Sequence, residues 1–274
     1  MSAPRSNSTL PLPPALAVTA TLAGVGAMIV GAAAIGSYGH LGLRGQIAAG
    51  TALLALPAIA LLLLLRRGTG RETLALTSLA PRTLGLSLLL GGALWVLSIG
   101  LMVLQAMALP PPPEYLEAFR AIHRALAPTG ALDALVSVMV IAVAPGVCEE
   151  IVTRGVLLPS LVRPLGRTLA ILASAFLFAA MHADVYRFLF TFAIGVVLGV
   201  LRLRTGSLWP PILAHATLNT LTFLIAPLVD DPAQTTYTPQ PVLGAAALLA
   251  GAALSLPLLK AFRGAGSSQA TPLC

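Results

Sequence analysis

The chain reads ALVSVMVIAVAPGVCEEIVTRGVLL from residue 134 to residue 158. This run is apolar apart from Glu149, Glu150, Arg154 and a few small polar residues. It is long enough to cross the hydrocarbon core of a bilayer, which takes about 20 helical residues. Because an ionisable side chain at membrane depth is costly, it marks a functional site by default. The stretch therefore predicts a membrane-spanning helix that carries functional residues.

The rest of the chain has the same apolar character. Of its 274 residues, 57% are hydrophobic and only 9% are charged, which lies outside the usual composition of soluble globular domains. The alternation of polar and apolar residues that is typical of a transmembrane β-barrel is absent. We therefore predict an all-α fold, a polytopic transmembrane helical bundle of about eight spans. The predicted spans cover 15–38, 46–65, 83–108, 134–158, 168–183, 186–201, 207–228 and 241–260.

This map divides the chain into four segments. Residues 1–14 form a polar N-terminal tail, 15–133 hold the N-terminal transmembrane helices, 134–228 hold the buried ionisable residues, and 229–274 hold the last span and a C-terminal tail. After the prolines at 110–113, apolar residues recur at helical spacing among charged ones. This pattern predicts an interfacial amphipathic helix, either a simple connection between spans or a gate for substrate. Its apolar residues are Leu116, Phe119, Ile122 and Leu126.

Positive charge marks the orientation in the membrane. If successive loops alternate sides, eleven Lys and Arg residues fall on one side and four on the other, with Arg154 inside a span. Cytoplasmic loops carry the excess of positive charge, so both termini should be cytoplasmic. The net charge of +7 does not point to nucleic acid, because the arginines lie singly or in pairs at the ends of apolar runs. The expected partner is the lipid bilayer.

Three ionisable residues share the fourth predicted span. Glu150 and Arg154 are four residues apart, in the order that favours an ion pair along a helix. Glu149 is rotated by about 100° from Glu150 and has no obvious partner on its own helix. A desolvated carboxylate without a partner suits a general base that acts on water. The alternative is that all three residues form one buried network that only fixes helix packing.

Two further spans each place a histidine at membrane depth. His182 follows the apolar run of the fifth span, and His215 lies one helical turn before Asn219 in the seventh. Glu149, His182 and His215 are 14, 15 and 11 residues from the arginines that mark the cytoplasmic boundary. At about 1.5 Å per residue these depths are similar, so the three side chains can meet in one layer. His215 and Asn219 would make a donor pair for a developing oxyanion.

In this order, the motifs match a known family. Glu149-Glu150-x-x-x-Arg154, Phe178-x-x-x-His182 and His215-x-x-x-Asn219, each within an apolar helix, resemble the CAAX prenyl endopeptidase and bacteriocin-processing family of intramembrane proteases, known as CPBP or ABI. The resemblance covers about residues 134–225, so 134–228 would be the catalytic core. The first motif is the most specific, since a Glu-Glu pair followed by Arg is rare in so acid-poor a chain.

The resemblance implies a role for each matched residue. Glu149 and His182 would activate the attacking water, His215 and Asn219 would stabilise the oxyanion, and Glu150, Arg154 and Phe178 would support the site. Family members are often called metalloproteases, and Glu149, His182 and His215 could hold zinc with an open position. The other mechanism needs no metal. We favour it because no His-Glu-x-x-His motif is present and Asn219 is a poor zinc ligand.

The resulting hypothesis is an intramembrane endopeptidase acting on a membrane-associated or lipidated protein or peptide. We expect a multi-pass protein of the bacterial cytoplasmic membrane. Two other classes remain open, a non-catalytic bacteriocin-immunity or scaffold protein that keeps the motif for folding, and a proton-coupled transporter that relays protons through its buried Glu and His residues. Internal repeats and paired broken helices, which mark many transporters, are absent from the sequence.

Overall fold

A computed structural model describes residues 11–38, 41–65, 74–229 and 238–262. Within these ranges the chain is helical and contains no strand. The α-helices are α1 (Pro14–Tyr38), α2 (Leu43–Leu65), α3 (Pro81–Ala108), α4 (Pro113–Leu126), α5 (Ala131–Val138), α6 (Ala144–Glu150), α7 (Leu158–Ala180), α8 (Phe188–Thr205), α9 (Trp209–Val229) and α10 (Pro241–Ala261). Two π-helical segments, Met139–Val143 and Ile151–Leu157, join α5, α6 and α7.

The described helices confirm the predicted polytopic bundle. Six helical stretches are long and apolar enough to cross a membrane: Pro14–Gly31, Leu43–Leu65, Pro81–Ala108, Ala131–Ala180, Val185–Thr205 and Pro241–Ala261. The predicted span 134–158 and most of the predicted span 168–183 fall in the fourth stretch, which ends at Ala180. Gly166 divides that stretch, because its φ of 73° and ψ of 167° are not helical. Helix α9 coincides with the predicted span 207–228, although it is not among the six.

Some sequence-based expectations fall outside the described part of the chain. They include residues 1–10 of the N-terminal tail, the basic residues of 66–73 and 263–274, and the acidic residues of 230–237. The prediction that both termini are cytoplasmic depends partly on these arginines, so it stays a prediction. The amphipathic helix is present as α4 and has proline at its first position. A backbone N–H at that position would have no partner within the helix, so proline costs no hydrogen bond there.

Close helix packing organises the bundle around small residues. Helix α10 lies along α3, α1 along α2, and α7 along α8. At Gly251 of α10, an added Cβ would collide with the backbone of Leu97 on α3. Small residues of this kind let two backbones approach in a membrane, where dispersion rather than water exclusion drives helix association. These close contacts hold α3 and α10 together.

The middle of the long stretch lies between two other helices. Helix α6 packs against α2 on one side and α9 on the other, and α9 also contacts the π-helical segment Met139–Val143. Pro145 opens α6 and has no N–H to donate into the preceding turn. The wider π turn just before it therefore accommodates the proline within a continuous helical path. This local geometry presents the Glu149-Glu150 pair to α9.

Candidate active site

The approach of α6 to α9 depends on Gly146. A Cβ added there would lie 3.1 Å from the backbone nitrogen of Ala216, tighter than an ordinary van der Waals contact. Ala216 follows His215, so the same small residues that allow the contact bring His215 beside the glutamates. His215 is 4% exposed and therefore lies in the interior of the bundle.

Glu150 and Arg154 form a buried ion pair. The Arg154 guanidinium donates to Glu150 Oε1 at 2.7 Å, and both side chains are fully buried. Arg154 also donates to Thr153 Oγ1 at 2.7 Å and to the carbonyl of Gly195 on α8 at 2.9 Å. Since a buried charge is costly unless it is paired and hydrogen-bonded, these additional acceptors offset part of the desolvation. The pair predicted from the four-residue spacing is present, and it links α6 to α8.

His215 joins the pair from the opposite helix. Its Nδ1 lies 3.0 Å from Glu150 Oε1, and its Nε2 lies 3.7 Å from Glu149 Oε2. An ionised carboxylate only accepts hydrogen bonds, so Nδ1 carries the proton in the contact with Glu150. This fixes the orientation of the ring and directs Nε2 towards Glu149. The contact with Glu150 was not expected from the sequence, which grouped His215 with Asn219, Glu149 and His182.

Glu149 differs from Glu150 in its surroundings. The Oε2 atoms of both glutamates lack a hydrogen-bond partner within the part of the chain that the structure describes. Glu149 is 15% exposed, whereas Glu150 is fully buried and its Oε1 is engaged by Arg154 and His215. The distance of 3.7 Å from Glu149 Oε2 to His215 Nε2 is too long for a direct hydrogen bond. The arrangement leaves Glu149 with a buried acceptor that can bind a water molecule or a substrate proton.

Phe178 connects the two histidines and the arginine. Its ring is in edge-to-face contact with His182 and His215, at centroid distances of 5.1 and 5.6 Å. The Arg154 guanidinium lies 4.5 Å from the centre of the same ring. Phe178 is 2% exposed, so its position is set by close packing. The sequence indicated Phe178 only through the motif spacing, whereas the structure places it at the centre of the site.

His182 lies just beyond the end of α7. Its Nδ1 is 2.8 Å from the carbonyl oxygen of Phe178, which makes Nδ1 the donor and leaves Nε2 as the acceptor of a neutral imidazole. The ring of Phe178 lies between His182 and His215 and contacts both. Asn219 is half-buried on α9, one turn beyond His215. The structure therefore gathers the predicted residues around one small region.

The loop after His182 contains contacts that sequence analysis missed. Asp184 accepts a hydrogen bond from the Tyr115 hydroxyl at 2.7 Å and another from the Tyr186 N–H at 3.0 Å. Gln105, on α3, also bonds to the backbone after this loop. No local pattern predicts contacts between residues so distant along the chain.

The fit of these residues to zinc is poor in this arrangement. Among the described residues, no three His, Cys, Asp or Glu side chains converge as a metal ion requires. The set Glu149, His182 and His215 has one carboxylate and two imidazole nitrogens with suitable chemistry. Their side chains do not present these three donors to a common point in the described structure, so this arrangement does not form a zinc site.

Comparison with known proteins identifies the segment that carries this site. Residues 131–221 match the family model described as Rce1-like, type II CAAX prenyl endopeptidase. No curated protein and no solved structure matches the chain. The matched segment begins where α5 begins and contains every residue of the three motifs. The family predicted from those motifs is thereby confirmed, and this integral membrane protein carries a domain of the Rce1-like CAAX prenyl endopeptidase family.

Proposed function

We propose that the protein is an intramembrane endopeptidase that hydrolyses a peptide bond in a membrane-associated or lipidated protein or peptide. The observation that carries this proposal is the environment of Glu149. Its carboxylate is 15% exposed, lies beside two histidines and has an oxygen without a hydrogen-bond partner among the described residues, whereas the neighbouring Glu150 is fully buried and is held by Arg154 and His215. Such a group is available to remove a proton from water.

The proposed reaction begins with a water molecule held by Glu149 and His182. Glu149 takes a proton from the water as the oxygen attacks the carbonyl carbon of the scissile bond. His182 accepts a hydrogen bond from the same water through Nε2, because its Nδ1 is engaged by the Phe178 carbonyl. The proton on Glu149 then passes to the leaving amine as the C–N bond breaks. The second proton of the water stays on the new carboxyl group, so the products are a carboxylic acid and an amine, which become a carboxylate and an ammonium when that proton is transferred.

The tetrahedral intermediate requires donors for its oxyanion. In the proposal, the Asn219 side-chain amide and the Nε2–H of His215 supply them. In this role His215 would donate from Nε2, while its Nδ1–H keeps its hydrogen bond to Glu150 Oε1 at 3.0 Å. Glu150 and Arg154 do not touch substrate in this mechanism. They hold the imidazole ring in place, as a carboxylate holds a catalytic histidine in other hydrolases.

Cleavage of defined peptides by the purified protein in nanodiscs tests the proposal. Wild type and Glu149→Gln would be incubated with a library of membrane-anchored and lipidated peptides, and the products read by mass spectrometry. The matched control is Glu117→Gln, whose carboxylate is 63% exposed on α4. We expect cleavage by wild type and by the control, and cleavage about 10³-fold slower by Glu149→Gln. Cleavage by Glu149→Gln within about tenfold of the wild-type rate would contradict the proposal, and an inactive wild type would favour a non-catalytic scaffold or immunity role.

Metal dependence is tested separately. We propose that the reaction needs no cofactor, with zinc bound by Glu149, His182 and His215 as the alternative. Elemental analysis of active protein, combined with chelator treatment, distinguishes the two. Activity that persists without stoichiometric metal supports the metal-free reaction. Loss of activity together with stoichiometric zinc, and its return on adding zinc, would contradict it.

We further propose a bacterial cytoplasmic membrane location with both termini in the cytoplasm. The supporting feature is the distribution of arginine and lysine along the chain. Fusion of a reporter that is active only in the cytoplasm to each terminus tests it. Both fusions are expected to be active. An inactive fusion would place that terminus on the opposite side of the membrane and contradict the proposed topology.

A further inference from the structure

The backbone that follows His182 adopts an unusual conformation. Ala183 has a φ of 49°, in the left-handed region that residues with a Cβ rarely occupy. The chain then passes through a short 3₁₀ turn, Val185–Arg187, and enters α8. A strained backbone persists only where the surrounding structure holds it. We call residues 181–187 the His182 loop and ask which groups hold it.

Gln105 of α3 is the first such group. Its side-chain amide nitrogen donates to the carbonyl of Val185, and its Oε1 accepts from the N–H of Leu189 at 2.8 Å. The first turn of a helix leaves backbone N–H groups without partners, and Arg187 at the start of α8 supplies no side-chain cap. Gln105 satisfies one of these N–H groups from another helix. Gln105 is 9% exposed, and its two hydrogen bonds are partly buried.

Tyr115 of α4 is the second group. Its hydroxyl donates to Asp184 Oδ2, and its ring lies against that of Tyr186 with centroids 4.6 Å apart. Burial, together with the hydrogen bond to Asp184, raises the pKa of the Tyr115 phenol well above its ordinary value. The phenol therefore remains a donor at any working pH. Asp184 passes the restraint on to the loop by accepting from Tyr186 N–H.

We propose that Gln105 and Tyr115 are positioning residues for His182. Both lie outside the segment 131–221 that matches the family model, so the N-terminal helices would complete the active site of the Rce1-like domain. The inference rests on the proposed function for the role of His182 as a partner of the attacking water. The anchoring of the loop does not depend on that function.

The first test measures the loop directly. Hydrogen exchange of peptides covering 181–189 would be compared between wild type, Gln105→Met and Tyr115→Phe. Gln105→Met keeps the length of the side chain but removes both hydrogen bonds, and Tyr115→Phe removes only the hydroxyl. The matched control is Gln46→Met, whose amide bonds to the carbonyl of Leu41 on an exposed part of the protein. We expect exchange about tenfold faster in the loop of both variants and unchanged in α9. Unchanged loop exchange would overturn the inference.

The second test links the anchors to catalysis. We expect Gln105→Met to lower kcat by about tenfold with little change in KM. This loss of kcat is smaller than the loss expected when a general base is removed. In a His182→Ala background, the same substitution should have no further effect, because interacting residues are not additive. An equal loss in both backgrounds would show that Gln105 acts elsewhere, and a full kcat would also contradict the proposal. If wild type cleaves nothing, the proposed function fails and the catalytic role falls with it, while exchange still decides the anchoring.

Discussion

Two glutamate–arginine pairs in this protein have similar geometry and opposite environments. A guanidinium nitrogen of Arg154 lies 2.7 Å from Glu150 Oε1, and both side chains are fully buried. A guanidinium nitrogen of Arg124 lies 2.5 Å from Glu117 Oε1 on α4, and these side chains are 60% and 63% exposed. An exposed pair is screened by water and contributes little. A buried pair is costly to assemble, and it is still more costly to leave half of it unpaired. Burial, not distance, therefore decides which pair the fold depends on.

Breaking the buried pair should give the largest effect on stability. We expect Arg154→Met to lower the free energy of unfolding by about 3–5 kcal/mol, because Glu150 is left as an unpaired buried charge. The same substitution at Arg124 should cost less than about 1 kcal/mol. The free energies of unfolding of both variants are measured by denaturation in mild detergent, with loss of helix followed by circular dichroism. Equal losses at the two sites would contradict the comparison.

Replacing Asn219, a proposed oxyanion donor, should affect activity and stability differently from replacing Arg154, which holds the fold. We expect Asn219→Ala to lower kcat by about 10²-fold to 10³-fold, because one oxyanion donor is lost. Its thermal stability should remain close to wild type, unlike that of Arg154→Met, because the half-buried side chain is outside the ion pair. Steady-state kinetics and a melting curve on the same preparation provide the two readouts. Full activity in Asn219→Ala would remove this residue from the mechanism.

Replacing both partners of the buried pair sharpens the same point. We expect Glu150→Leu combined with Arg154→Met to recover about 1–4 kcal/mol relative to Arg154→Met alone, because no unpaired charge remains. The double variant should still be inactive, since His215 loses the acceptor for its Nδ1–H. Denaturation and a cleavage assay are needed together. A double variant no more stable than the single one would show that the network contributes more than its charge balance.

The smallest expected effect concerns Ala183. Its left-handed backbone conformation destabilises the fold by about 1–2 kcal/mol, and glycine would adopt the same conformation without this penalty. Glycine also has more freedom to lose on folding, so we expect Ala183→Gly to stabilise by no more than about 1 kcal/mol. The control is Ala173→Gly within α7, which should destabilise by a similar amount. Melting temperatures that fall equally in both variants would contradict the assigned strain.

Local spacing accounts for the part of this site that the sequence predicts. Glu150 and Arg154 lie one helical turn apart, so their pairing follows from the helix itself. The similar depths of Glu149, His182 and His215 in their apolar runs predict that they meet, because a bilayer fixes a common frame for every span. The family follows from the order of the motifs. These features need no knowledge of how the helices are arranged around one another.

Contacts between helices are the part that could not be predicted. The bond from His215 to Glu150 depends on the rotation of α9 about its axis, which apolar residues on all sides do not reveal. Gln105 and Tyr115 meet the His182 loop across about 70 to 80 intervening residues, with no recurring pattern to indicate the pairing. The π-helical segments add a residue to a turn without changing the composition of the run. Each of these features is set by tertiary packing.

The central claim is that Glu149, and not its buried neighbour Glu150, removes the proton from the attacking water. The most direct measurement is the single-turnover cleavage rate of Glu149→Gln at saturating substrate in nanodiscs, with substrate binding measured in parallel. The isosteric amide keeps the shape of the side chain and removes its basicity. We expect a rate about 10³-fold below wild type with unchanged binding and an intact fold. A rate within about tenfold of wild type would contradict the assignment of Glu149 as the general base.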